Sequence, residues 1–198
     1  PWQYHELAPG RFDFTGETRP GRDLKRFLEE CRAVGLSVMA RPGPLIYAEF
    51  DGLGLPLWLG DRYPETVVVR RDGRREQGAF FWSHSLGQPV YRAKVRAWYE
   101  AVSAFLMPYW NDPVISFQLD NETGLLFANQ VGRIDFNPDT IVRFRRWLEG
   151  EHGSIDAMNA VWGTHLNSFA EVLPPRPPLR QPQIDDWQRF LEAWIDDY

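Results

Sequence analysis

Three consecutive polar side chains, Asp120, Asn121 and Glu122, close an apolar run in "VISFQLDNETG", residues 114–124. A carboxylic acid at the end of a strand suits general acid–base work, provided that its pKa is raised. Read with a period of two, Ile115, Phe117 and Leu119 share one face, and Ser116, Gln118, Asp120 and Glu122 share the other, as in a strand with one polar side. Asp120 would then add negative charge near Glu122 and raise its pKa, as a general acid requires. The competing reading is a loop start, because Asp and Asn favour turns.

Other residues with usable chemistry are scattered along the chain. Arg41 ends the apolar alternation of "LSVMARPGP", where it either braces carboxylates of a site or pairs structurally. Glu49 lies in a long loop, where a sugar contact competes with simple solvation. Trp58 and Trp82 are the aromatics that best suit stacking on a sugar ring, although a large ring is more often core. His5, with Glu6, reads as a strand end supporting the site from behind, against a purely structural hydrogen bond. The four histidines have neither metal-ligand spacing nor the partners of a Ser-His-Asp set. Cys31 is the single cysteine, which excludes an intrachain disulfide and a cysteine zinc cluster. "GLGLP" lacks the lysine and helix start of a phosphate loop. These residues call for no metal and no cofactor.

The elements that must position these groups follow from periodicity. "PGRDLKRFLEECRAVGL" places Leu24, Phe27, Leu28, Cys31 and Val34 at helical spacing with Gly35 at the stop, and "LSVMARPGP" follows as a strand of about six residues. Residues 43–88 are a long excursion holding a helical turn at "PLWLG" and a hairpin turning at Asp72-Gly73. A helix from Pro89 shows Val95, Trp98, Val102, Phe105, Leu106 and Tyr109 on one face and leads into the strand at 114. Further helices are expected in "NPDTIVRFRRWLEGEHG", with Asn137 or Asp139 near its start and Gly150 or Gly153 at its end, in "SIDAMNAVWG" and in "DDWQRFLEAWIDDY". The start, "PWQYHELAPG", reads as extended.

Helices alternating with strands argue for a parallel sheet, and about three strands are too few to close a barrel or to be covered on both faces. The expected fold is α/β: a partial (β/α)8 TIM barrel of about three strands with their helices, with both ends cut through periodic segments. Residues 1–198 would form part of one catalytic domain whose other partner is the remainder of the barrel. Within such a barrel Ile115, Phe117 and Leu119 would pack outward on helices, while Asn121 and Glu122 would stand at the carboxyl-end rim where catalytic groups collect.

Composition narrows the partners. The 198 residues are 43% hydrophobic with a net charge of −5, enough for a sizeable core. That charge, without a basic run interleaved with aromatics, argues against nucleic acid. No apolar window approaches the roughly 18 residues of a membrane span, so no membrane partner is expected. Neither the oligomeric state nor the compartment, cytoplasmic or secreted, is indicated; the opening residues lack the features of a signal peptide.

Together, "WQYHELAPGRFDF", "GLSVMARPGPLIYAEFDGLGLPLWL" and "DPVISFQLDNETG" resemble the consecutive second, third and fourth strand regions of retaining β-galactosidases of glycoside hydrolase families 35 and 42, which implies that the partial barrel holds roughly strands 2 to 4 with their helices. The second segment is closer to family 35, whereas "FRRWLEGEHGSIDAMNAVWGT" is similar to family 42. The resemblance implies double-displacement hydrolysis of a terminal β-galactoside, a carbohydrate partner and no cofactor. It makes Glu122 the acid/base and Asn121 the contact to the sugar 2-hydroxyl. Tyr47, Ala48 and Glu49 match the family 35 segment that holds galactose hydroxyls, with Tyr47 standing where that family usually has a smaller residue. The nucleophile is implied at a seventh strand, beyond residue 198, so the isolated chain is expected to be inactive. Other readings of the same residues are a β-glucosidase, a β-mannosidase, an endo-acting glycanase, or a sugar-binding barrel without catalysis.

Overall fold

A computed structural model of the chain describes residues 1–46, 51–76, 84–121 and 135–196. The described residues gather into two compact units. One comprises residues 1–64 and 93–121, the other residues 65–76, 84–92 and 135–196.

The first unit opens with a helical turn, α1 (Trp2–His5), and a short antiparallel pair, β1 (Glu6–Ala8) with β2 (Arg11–Phe12). This corrects the extended start, and His5 closes a helical turn instead of a strand. The physical reason lies in Trp2, which is fully buried and stacked on Trp98 at 6.1 Å. Burying so large a ring outweighs the weak local preference of four residues. Phe12 and Phe14 join the same aromatic core, Phe14 stacking on Phe105 at 4.6 Å.

Helix α2 (Leu24–Ala33) begins where the Asp23 carboxylate accepts the Arg26 N–H at 2.9 Å, and it buries Leu28 and Cys31. Phe27 and Val34, placed on the apolar stripe by spacing, are 52% and 71% exposed. Only the middle of that stripe is covered.

Strands β3 (Val38–Gly43) and β4 (Val114–Leu119) pair in parallel, Val38 opposite Val114 and Gly43 opposite Leu119. A parallel pair needs a crossover, and the chain makes it through α3 (Leu57–Arg62) and α4 (Pro89–Leu106). Val95, Trp98, Val102 and Leu106 are buried along one face of α4, as their spacing requires. The Trp98 indole donates to the Pro42 carbonyl at 3.1 Å and so fastens the helix to the end of β3.

Two expectations about the sheet change. The β1–β2 hairpin is a sheet of its own, which leaves β3 and β4 as a two-stranded parallel sheet. Ile115, Phe117 and Leu119 do share a face, but it is 56%, 37% and 67% exposed, with Phe117 stacked on Trp110 at 5.2 Å. Parallel sheets are ordinarily covered on both faces. Here no described element lies over that one.

The second unit is built on α5 (Pro138–His152), α6 (Ile155–Trp162) and α7 (Gln181–Asp196). Asn137 caps α5, its side chain accepting the Asp139 N–H at 3.3 Å, and Gly153 leaves the helix at φ 72°. Ser154 caps α6, and Gly163 ends it in the left-handed region. The three helices bury Phe144, Leu148, Met158, Trp162, Trp187, Phe190 and Trp194 as one cluster, with Phe144 and Trp187 edge to face at 4.8 Å. Buried Asp186 accepts from Trp162 Nε1 at 2.7 Å and lies 2.8 Å from His152 Nε2, whereas the buried Trp194 Nε1 has no hydrogen-bond partner among the described residues. A Cβ on Gly87 would overlap the Trp194 ring, which explains glycine there. The hairpin predicted around Asp72-Gly73 is present: Val69 bridges Arg75, and Arg70 N–H donates to Arg74 O at 2.7 Å.

Candidate active site

The parallel strands of the first unit end side by side, and three of the sequence-derived residues, Arg41, Asp120 and Asn121, lie together there. Beyond the last ladder pair, Asp120 turns the chain with φ 50°, a left-handed conformation that Asp tolerates better than most residues. Its N–H donates to Gly43 O at 3.3 Å, and its Oδ1 accepts the Leu45 N–H at 2.6 Å. The end of β4 is therefore tied to the loop leaving β3 by one backbone and one side-chain bond.

The next residue, Asn121, is held by its carbonyl. Arg41 Nη2 donates to Asn121 Oδ1 at 3.1 Å, and Gln118 Nε2 donates to the same oxygen at 3.0 Å. Gln118 also reaches Asp120 O at 3.3 Å. An oxygen that accepts twice fixes which way the amide faces, and its Nδ2–H group is left to donate elsewhere. The bond that Arg41 makes here is to an amide and not to a carboxylate.

Electrostatics modify the part given to Asp120. Burial pushes its carboxyl up to about 6, against the stabilising Leu45 N–H. An acid half protonated near pH 6 is a weak source of fixed charge for a neighbour, but it accepts a hydrogen bond in either state. Tyr99 stands beside it, its hydroxyl donating to Gly43 O. Burial and the Asp120 charge together hold the Tyr99 phenol in its protonated form well above its ordinary range.

His5 and Trp58 are placed within the same unit but are spent on other partners. His5 is buried, and its Nδ1–H donates to Asp13 O at 2.8 Å, so the structural hydrogen bond is what this histidine makes. Burial lowers its pKa to about 4. Between pH 6.5 and 4 the unfolded chain therefore binds a proton that folded His5 does not. Stability is present above that window and is lost as pH falls through it, by on the order of 3 kcal/mol in full. Urea midpoints should drop from pH 7 to pH 4, and should drop less in His5→Asn; equal slopes in the two proteins would rule the effect out.

Trp58 is half-buried, with its Nε1 donating to Glu6 O at 3.1 Å and its ring edge-on to Trp2 at 6.4 Å. Only its remaining exposed surface is left to a ligand. Glu122, Tyr47, Ala48, Glu49 and Trp82 lie outside the described residues.

Sequence reasoning missed a buried polar cluster in the second unit. Asp135 Oδ1 accepts from Asn137 N at 2.9 Å and Val69 N at 3.2 Å, and its Oδ2 accepts from Thr140 Oγ1 at 2.6 Å. Asn137 Nδ2 donates to Glu65 O at 2.9 Å. The group carries the hairpin onto the start of α5, and burial raises the Asp135 pKa. His84 is also buried in this unit, its Nδ1 2.9 Å from Thr66 Oγ1 and its pKa lowered by burial to about 3. Only the cap signal at Asn137 was visible in advance, because Val69 and Glu65 lie 66 and 72 positions from the residues they bond. Among the described residues no group of His, Cys, Asp or Glu is arranged to hold a metal, and no helix is long and apolar enough to cross a membrane.

Comparison with known proteins finds relatives along the whole chain. The sequence model of the glycoside hydrolase family 42 family, described as Beta-galactosidase, matches residues 1–198. An exo-β-D-glucosaminidase of Pyrococcus horikoshii is 32% identical over 210 residues, covering all of this chain and 26% of that protein. A β-galactosidase of Thermus thermophilus is 32% identical over 188 residues, 90% of this chain and 27% of its own length. The solved β-galactosidase of Halorubrum lacusprofundi superposes with a TM-score of 0.73 at 24% identity, covering all of this chain and 28% of that one. The chain thus spans about a quarter of the length of the relatives it matches. Its α/β fold is that of part of a TIM-barrel glycosidase. On the match along its whole length, the chain belongs to the glycoside hydrolase family 42 β-galactosidases.

Proposed function

We propose that the chain carries the acid/base half of a retaining β-glycosidase site acting on terminal β-D-galactosides. Glu122 protonates the glycosidic oxygen and later activates water, while a nucleophile from another strand, about 5 to 5.5 Å away, attacks the anomeric carbon. The single observation that carries this reading is the double hold on Asn121 Oδ1 by Arg41 and Gln118. It leaves the amide N–H free to donate to the sugar 2-hydroxyl, a bond that strengthens as the ring gains oxocarbenium character. Glu49 and the Tyr47-Ala48 backbone would take further hydroxyls, and Trp58 would offer its exposed surface for stacking. Both compact units belong to one catalytic domain in this reading, which is supported by a single family match across them.

A second reading has its own support. The glucosaminidase relative is as similar as the Thermus β-galactosidase and matches more of the chain. Nitrophenyl β-galactoside, β-glucosaminide, β-glucoside and β-mannoside, assayed with the full-length protein, separate the two. We expect the galactoside to give the highest kcat/KM. A highest value for the glucosaminide would replace the first reading with the second, and binding of galactose without hydrolysis of any of the four would end both in favour of a sugar-binding barrel.

A further inference from the structure

We infer that Asp120 is a positioning residue for this reaction, acting through the hydrogen bond it accepts from the Leu45 N–H and not through negative charge; the inference rests on the glycosidase reading above. The bond joins two segments at their roots. Leu45 lies two residues before Tyr47, where the run Tyr47-Ala48-Glu49 begins, and Asp120 lies two residues before Glu122. The separation between the bonded residues is 75 positions, and the ladder ends just before them at Gly43 and Leu119. Without the side-chain bond, the 3.3 Å backbone contact from Asp120 N–H to Gly43 O and the Arg41 bond to Asn121 Oδ1 would be left, among the described residues, to hold the strand ends together beyond the sheet.

Three observations favour the acceptor role over charge. The carboxylate is aimed at a backbone donor, at a distance of 2.6 Å. The backbone at Asp120 occupies a conformation uncommon outside glycine, which the two bonds to the β3 loop hold in place. The neighbouring side chains brace the same turn, Gln118 on Asp120 O and Asn121 Oδ1, Arg41 on Asn121 Oδ1, and Tyr99 on Gly43 O. A buried carboxyl with a raised pKa fits an acceptor that works whether or not it is ionised.

The test compares Asp120→Asn, which keeps an oxygen where Oδ1 accepts, with Asp120→Ala, which removes it. In the full-length protein we expect Asp120→Asn to keep kcat/KM within about threefold of wild type, with an unmoved basic limb of the pH profile. Asp120→Ala should lose at least about tenfold, more for an alkyl glycoside than for a nitrophenyl one, because misplacing a general acid hurts a poor leaving group most. Amide hydrogen exchange over residues 43–46 should speed up in Asp120→Ala alone, with the unfolding midpoint recorded for each variant. Equal losses in both variants, or a displaced basic limb in Asp120→Asn, would assign the effect to charge. Unchanged exchange and rate in Asp120→Ala would remove the role altogether. The exchange measurement does not depend on turnover, so a protein that hydrolyses nothing would defeat the glycosidase reading while still reporting on the Asp120 bond.

Discussion

Glu122→Gln in the full-length protein is expected to lower kcat/KM for an alkyl β-galactoside by about 10²–10⁴-fold, the range that positioned proton transfer supplies. Glutamine keeps the size of the side chain and removes the proton. An alkoxide is a poor leaving group and needs that proton in the transition state, whereas nitrophenolate departs with little help. The loss should therefore be much smaller for glycosylation by a nitrophenyl galactoside, and deacylation-like release of the glycosyl-enzyme should slow, because the same residue then lacks its function as base. Rates for the two substrates, compared in the variant and wild type, read this directly. A variant that cleaves the alkyl glycoside at the wild-type rate would remove Glu122 from the mechanism. The expectation is placed on this residue by its neighbour: Asn121 is anchored at the end of a parallel strand, with its amide donor free among the described residues.

The largest stability effect is expected at Phe144. It is fully buried at the centre of the second unit, with ring neighbours Trp187 at 4.8 Å and Phe190 at 5.1 Å. Removing such a ring costs the lost transfer energy and leaves a cavity that flanking helices only partly close, typically about 3–5 kcal/mol. Phe144→Ala should lower the urea midpoint accordingly, whereas Phe144→Leu should lose considerably less. If the alanine variant unfolds within about 1 kcal/mol of wild type, the cluster around α5, α6 and α7 is not the core described. Because the residue lies apart from Asp120, Asn121 and Arg41 in sequence and in a separate compact unit, its effect should read as stability and not as a change in substrate preference.

Much of this architecture is legible in the residues alone. Helical spacing places Val95, Trp98, Val102 and Leu106 on one face of α4, and helices form in the three later segments where they are expected. A cap residue, Asn137, marks the start of α5, and two apolar alternations become β3 and β4 in the positions expected. Three ordered segments sufficed for the family, because motifs of that kind are local and survive without knowledge of contacts.

Tertiary structure alone decided the rest. Periodicity states which residues share a face but not whether anything covers it, so Ile115, Phe117 and Leu119 align as expected and yet stand exposed, as do Phe27 and Val34. The helical turn at Trp2–His5 exists because Trp2 packs against a ring 96 positions along the chain. The orientation of the Asn121 amide and the partner of Asp120 arise from bonds spanning 80 and 75 positions. Local sequence encodes propensity and alternation; the direction of a side chain at the site depends on distant donors that only folding brings within about 3 Å.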